Sequence, residues 1–337
     1  MWAGANERVT DAPAVRPRAA VIFNPTKSGL NELRVAVERA EHVQELAPSL
    51  WLETTIEDPG TGMALEAIAA GVDLVIVAGG DGTVRSVAAA LRGTGMRLGL
   101  VPLGTGNLFA RNLGIPVNDP FDAVVLALTG HDRAVDVLVA DVRRPTGNRE
   151  MYVSLVMSGV GIDATMISNT NADLKRRVGW LAYVDAGLRA IPMSKPFRVI
   201  HRLDGGRTHR SRVVSVLIAN LGYLPGNIEL IPHAELDDGR LDVVRLQPRN
   251  LLGWLFIWRK VAWENRVLAK SALGRQLIDL TGGNRRSEIV YSRGRSVELT
   301  IEGGEAQEFE IDGDALGAVT AVRFSVDPAA LIVRVER

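Results

Sequence analysis

The chain has 337 residues, 47% of them hydrophobic and 23% charged, with 39 basic side chains against 39 acidic ones. That describes an ordinary globular protein with room for two domains, and a zero balance gives no global field for nucleic acid or an anionic surface, though it allows a local basic patch. The absence of cysteine excludes disulfides, a thiolate nucleophile and Cys-ligated zinc, and no apolar run approaches the ~20 residues that cross a bilayer.

Residues 1–17 are polar and Pro-containing, lack the apolar stretch of a signal peptide, and read as a flexible arm. From residue 18 the pattern alternates. Strands are expected over 19–23, 50–55, 74–78 and 98–101, and helices over 30–47, 61–70, 84–91, 108–113 and 120–128. Asp119-Pro120 offers an N-cap followed by Pro in the first turn. Such alternation predicts a mainly parallel sheet covered on both faces. Near 131–133 the period changes to two. Short strands are expected over 135–142, 152–157, 197–203, 212–218, 241–246, 296–301, 308–311 and 321–326, interrupted by helices over about 172–190 and 251–277. The expected organisation is therefore a Rossmann-like α/β domain over 18–132 and a mainly antiparallel β-sandwich over 133–337.

Two glycine turns carry the chemistry. Gly79-Gly80-Asp81-Gly82-Thr83 follows the apolar run 74–78, and Gly104-Thr105-Gly106-Asn107 follows the run 98–101. Glycine permits positive φ and close approach of a ligand, and the amides at the following helix starts are unpaired and partly positive. Two such turns at strand ends form a phosphate cradle, which points to a nucleotide. Neither turn reads G-x-G-x-x-G, and no G-K-[ST] closes a P-loop. Backbone and small polar groups must then do most of the holding. Asn24, Thr26, Lys27 and Ser28 supply donors at a third strand end. Asp81, between glycines, can carry chemistry or merely cap a turn; Asn107 suits a helix N-cap as well as a ligand.

The order Asn24-Pro25-x-x-Ser28-Gly29, then Gly79-Gly80-Asp81-Gly82-Thr83, then Pro102-x-Gly104-Thr105-Gly106-Asn107 resembles the diacylglycerol kinase catalytic-domain family, the soluble bacterial lipid kinases related to sphingosine and ceramide kinases. Ser158 to Ala164, Leu174 to Tyr183, Ile231 to Asp242 and Glu310 to Asp314 extend the resemblance over nearly the whole chain. NAD kinase shares the first glycine turn and is the neighbouring family. The resemblance implies that the last segment packs back on the first domain.

The resemblance implies an enzyme that transfers the γ-phosphate of ATP, with Mg²⁺, to a lipid hydroxyl. Diacylglycerol is the leading acceptor; a sphingoid base, phosphatidylglycerol, a soluble NAD kinase-like reaction and a non-catalytic nucleotide or lipid sensor stay open. Asp81 and Asp314 are the rival general bases, with Asp312 in the same turn as Asp314; the family carries Glu where this chain has Asp314. Asn24, Lys27, Ser28, Gly79, Gly80, Gly82, Thr83, Gly104, Thr105, Gly106 and Asn107 would contact ATP. Asp237, Asp238 and the carbonyl of Leu241 would hold a structural Mg²⁺. Asp163 is structural or substrate-facing. Lys175, Arg176 and Arg177 could meet anionic headgroups, and the Trp254–Trp263 stretch is either buried or a membrane-facing lip. These features imply a cytoplasmic, peripherally membrane-associated protein acting on lipid at a membrane surface, without nucleic acid; a homodimer is left open.

Overall fold

The computed structural model describes residues 16–117, 119–161, 195–224, 228–229, 231, 234–248 and 288–337. The stretches expected as helices over 172–190 and 251–277 lie outside the described residues. So do Asp163, Lys175, Arg176, Arg177 and the Trp254–Trp263 segment.

The first part alternates as expected: β1 Arg18–Phe23, α1 Leu30–Val43, β2 Ala47–Glu53, α2 Thr61–Ala69, β3 Leu74–Gly79, α3 Asp81–Leu91, β4 Arg97–Pro102, α4 Leu108–Asn112 and α5 Pro120–Thr129. β1 to β4 form a parallel sheet in the order β2-β1-β3-β4. Every residue of β3 is buried, as a central strand covered on both faces requires. Asp119 caps α5 by accepting the amides of Phe121 and Asp122, with Pro120 at the first position.

The second part contains β5 His131–Arg143, β6 Arg149–Ser154, β7 Met157–Val160, β8 Phe197–Leu203, β9 Thr208–Val213, β10 Ser215–Ala219, β11 Tyr223–Leu224, β12 Ile228–Glu229, β13 Leu241–Leu246, β14 Ile289–Gly294, β15 Ser296–Ile301, β16 Gln307–Ile311, β17 Asp314–Val319 and β18 Ala321–Val335. One antiparallel sheet runs β14-β13-β10-β7-β16-β17. It faces a second layer of β5, β6, β18, β15, β8 and β9 across a core that includes Phe309, Phe324, Ile218 and Leu138.

Several boundaries shift, each for a local reason. The helix expected to reach 47 stops at Val43, because Glu45 turns left-handed (φ 54°) and Ala47 already opens β2. The helix expected from 84 starts at Asp81, so Gly80 is its N-cap and Asp81 its first residue. The strand expected over 152–157 breaks at Leu155-Val156. The strand expected over 212–218 divides at Val214 into β9 and β10, which belong to opposite layers.

The largest difference is β18. Instead of ending at 326 it continues to Val335, pairing antiparallel with β5 and parallel with β4 through Ile332 and Val333. The parallel sheet and one layer of the sandwich are thus a single continuous sheet. Asp136, 2% exposed, pins this junction: its carboxylate accepts the amides of Ala329 (2.8 Å) and Gly239 (2.6 Å).

Candidate active site

The register of β3 on β4 pairs Gly79 with Pro102, so both glycine turns leave the sheet side by side. β1 brings a third loop alongside, since Phe23 pairs with Ala78 and the Asn24 amide donates to the Ala78 carbonyl. All three lie at the C-terminal edge of the parallel strands, where open α/β sheets place their ligands.

The two turns touch through backbone. A Cβ on Gly104 would sit 2.7 Å from both the Gly80 Cα and Asn107 Oδ1. A Cβ on Gly79 would come within 2.8 Å of the Thr83 Cβ. Side chains are excluded here by contact, which lets an anionic ligand come close to the backbone of both turns. Lys27 lies over it, with Nζ 3.9 Å from the position a Gly80 Cβ would take.

The predicted nucleotide contacts divide by this geometry. Ser28 and Thr105 are exposed, and Gly106 is half-buried. The Asn24 Oδ1 accepts from the amide (3.0 Å) and hydroxyl (2.7 Å) of Thr26. Thr83 is buried beneath Gly79. Asn107 stands at the N-cap of α4 in left-handed conformation (φ 49°) but does not cap it. Its side chain closes its own loop, donating to the Gly104 carbonyl (2.7 Å) and accepting the Gly104 amide (3.0 Å).

The cap of α4 comes from the other turn. Asp81 Oδ1 accepts the Leu108 amide at 2.6 Å. The carboxylate therefore ties the two glycine turns together, a role neither turn reveals alone. Burial raises its proton affinity, the Leu108, Asn107 and Phe109 amides lower it, and the charge of Asp312 raises it again; the net direction is up.

Asp312 and Asp314 arrive from the sandwich. Asp312, left-handed at φ 49° and 6% exposed, accepts from the Ser154 hydroxyl and from the amides of Leu155, Val156 and Met157, all at 2.9–3.0 Å. Those donors are the break between β6 and β7, so the carboxylate explains why that strand is interrupted. Burial pushes Asp312 up, against the pull of these amides and of the Arg85 guanidinium. Both of its oxygens accept hydrogen bonds from within the fold.

Asp314 is exposed, and its Oδ2 sits 3.3 Å from where a Gly82 Cβ would be. Arg85 brings it there: Nη2 binds Asp314 Oδ2 at 2.6 Å and Nη1 binds the Ile311 carbonyl at 2.7 Å. Sequence reasoning missed Arg85. The signal was its spacing, four residues beyond Asp81 and so on the same helix face, but it was hidden while the helix was expected to begin at residue 84.

The proposed metal turn is arranged differently. Asp237 binds Arg133 through its Oδ2 (2.8 and 3.1 Å), and Asp238 binds Arg293. The two carboxylates serve separate guanidiniums, and Leu241 is the first residue of β13. Among the described residues no group of three or more His, Asp or Glu side chains is placed to hold a metal ion. The turn as built does not fit a cation, whose charge the arginines already supply.

Residues 18–140 match the model of the diacylglycerol kinase catalytic domain, and residues 154–262 match that of the YegS C-terminal NAD kinase beta sandwich-like domain. The chain belongs to the diacylglycerol kinase-like family of lipid kinases. It is 30% identical over 327 residues to the "Probable lipid kinase YegS-like" protein of Pseudomonas aeruginosa strain UCBPP-PA14, covering 94% of each chain. It is 27% identical over 305 residues to the diacylglycerol kinase of Bacillus subtilis, covering 88% of this chain and 89% of the relative. A crystal structure of a diacylglycerol kinase from Bacillus anthracis superposes with a TM-score of 0.70 at 23% identity, covering 96% of this chain and 99% of that one, which shows a shared fold. Among the described residues no helix is long and apolar enough to cross a membrane.

Proposed function

We propose that this member of the family transfers the γ-phosphoryl group of ATP to the hydroxyl of a membrane lipid, diacylglycerol first among the acceptors. The observation that carries the reading is the meeting of the Gly80–Gly104 contact, Lys27 and Asp81 with Asp314 of the sandwich. ATP enters as its Mg²⁺ complex, the metal neutralising phosphate charge. Backbone groups of the two turns and the Lys27 ammonium take the remaining charge as it spreads over the transferred group.

Asp81 accepts the proton of the lipid hydroxyl. Its proton affinity is raised by burial, whereas the Asp314 carboxylate is committed to Arg85. Asp314 acts as a positioning residue, closing the first turn of α3 from the sandwich side. The acceptor reaches the site between the two parts of the chain, and the protein works at the membrane surface without spanning it. Phosphoryl transfer breaks the bond between the γ-phosphorus and its bridging oxygen and forms one from phosphorus to the lipid oxygen. The hydroxyl proton passes to Asp81 and then to solvent.

The test is transfer of label from γ-labelled ATP with Mg²⁺ to mixed micelles of diacylglycerol, sphingosine or phosphatidylglycerol, with NAD⁺ offered separately. Labelled phosphatidic acid is the expected product. Asp81→Asn should lower turnover by about a thousandfold, while Asp314→Glu should keep most of it. Label on NAD⁺ alone would overturn the lipid assignment, and near-normal turnover by Asp81→Asn would remove Asp81 from the base role.

A further inference from the structure

A second charged feature lies apart from the nucleotide turns. An open cavity of about 650 Å³ occupies one end of the sandwich, lined by Arg240, Arg293, Arg295 and Arg323, with Asp204 as its acidic member. In a chain whose total charge is zero, four guanidiniums around one cavity are a local concentration that the sequence balance conceals.

The cations differ in how they are compensated. Arg293 pairs with Asp238 and lies 3.6 Å from Asp242. Arg323 lies 3.9 Å from Glu298, which is already bound by Arg202 at 2.5 Å. Arg240 and Arg295 have no ion-pair partner among the described residues. Asp204 leaves a single negative charge against the four guanidiniums that line the cavity, and its Oδ1 accepts the backbone amides of Arg295 (2.7 Å) and Ser296 (2.8 Å). Those bonds fix the Arg295 backbone at the cavity. Gly294 is needed for the same closure: a Cβ there would stand 2.7 Å from Asp204 Oδ2.

We propose that this cavity binds a phosphate-bearing ligand at a site separate from the ATP cradle. A guanidinium presents paired N–H donors in a planar fork that matches the oxygens of a phosphate. Two forks with no ion-pair partner among the described residues, beside two that are already shared, provide the charge a phosphate dianion needs. The sheet order β14-β13-β10-β7-β16 separates Arg293 from the Asp312 turn by four strand steps, about 19 Å at about 4.8 Å each. Register places both at the same end of that sheet, since Arg293 pairs with Asp242, Asp242 with Ala219, and Ala219 with Met157, whose carbonyl accepts the Asp312 amide. Arg293 of the cavity and the Asp312 turn thus lie at the same end of that sheet, and the cavity lining shares no residue with the glycine turns. Its ligand is either a soluble phosphate or the phosphomonoester headgroup of a lipid.

The experiment uses the full chain and the variant Arg240→Ala/Arg295→Ala. Both side chains are exposed, so the variant should fold and bind a non-hydrolysable ATP analogue as wild type does. Inorganic phosphate is titrated in one arm, at ionic strength matched with chloride. Vesicles of phosphatidylcholine, with and without phosphatidic acid, are used in the other. The variant should bind at least about tenfold more weakly in one arm or both. Weakening with inorganic phosphate only assigns a soluble phosphate; weakening toward phosphatidic acid vesicles, with plain phosphatidylcholine vesicles bound by neither protein, assigns a headgroup. Equal binding by wild type and variant in both arms overturns the proposal, as does a wild-type response that chloride alone reproduces.

Discussion

The turns after β3 and β4 are built from backbone in contact, with only 2.7 Å between the Gly80 Cα and the place of a Gly104 Cβ. The turn after β16 is built around a buried carboxylate, Asp312, that collects one hydroxyl and three amides. The first construction keeps side chains away, so that a ligand can come close to the backbone. The second spends every donor inside the fold and contributes rigidity. Both meet at α3, where Asp81 joins the two glycine turns and Arg85 holds Asp314. An aspartate in an Asp-Gly turn can therefore be reactive, structural or positioning, and what separates these is the partner supplied from elsewhere in the chain.

The largest expected effect tests the structural carboxylate. Asp312→Ala leaves three buried donors and the half-buried Met157 amide without their acceptor and should cost about 4 kcal/mol in urea unfolding. A loss below about 1 kcal/mol would mean that the β6–β7 break is held by something else.

Next comes Glu310, two residues before Asp312, whose carboxyl burial and the Asp312 charge push up to about 7 from 4.5. Because the folded value is raised, the unfolded chain gives up this proton first, and stability falls as pH rises from about 4.5 to about 7, by up to about 3 kcal/mol. His201 works in the opposite sense. Burial and Arg245 lower it from 6.5 to about 4, so it costs stability as pH falls through that range. The two slopes offset each other between about pH 4.5 and 6.5 in the wild-type chain. Glu310→Gln should unmask a stability that rises with pH across this window, measured by melting at each pH; an unchanged profile would show that Glu310 does not titrate there.

The backbone construction is tested by Gly104→Ala, which forces a Cβ against Gly80 and should cost about 2 kcal/mol. It should also weaken binding of an ATP analogue by about tenfold, read by calorimetry. Normal binding would separate the glycine contact from the nucleotide.

Arg85→Ala releases Asp314 and the Ile311 carbonyl. With Arg85 16% and Asp314 52% exposed, about 1 kcal/mol of stability is expected. The larger sign should be kinetic, a fall in kcat with the nucleotide Kd kept. Asp238→Asn should have the smallest effect, below about 1 kcal/mol. Its melting temperature should respond to Mg²⁺ no more than that of the wild-type chain, since Asp238 is already paired with Arg293.

Much of this protein was legible in the sequence for one reason: strands, helices and glycine turns are local. The alternation over 18–132, the period-two strands beyond, and the two turns that resemble the lipid kinases depend on residues adjacent in the chain. Asp119 shows the same principle, capping α5 with amides two and three residues away. What local pattern could not disclose was the far partner. Nothing near Asp81 says that it caps Leu108, nothing near Asp312 says that it breaks a strand more than 150 residues earlier, and nothing near residue 326 says that the strand continues as far as a pairing with β4. The sequence by itself determined the elements, the glycine surface for an anion and the family. Tertiary structure alone decided which partners each aspartate has, because the donors and cations around a carboxylate come from far along the chain.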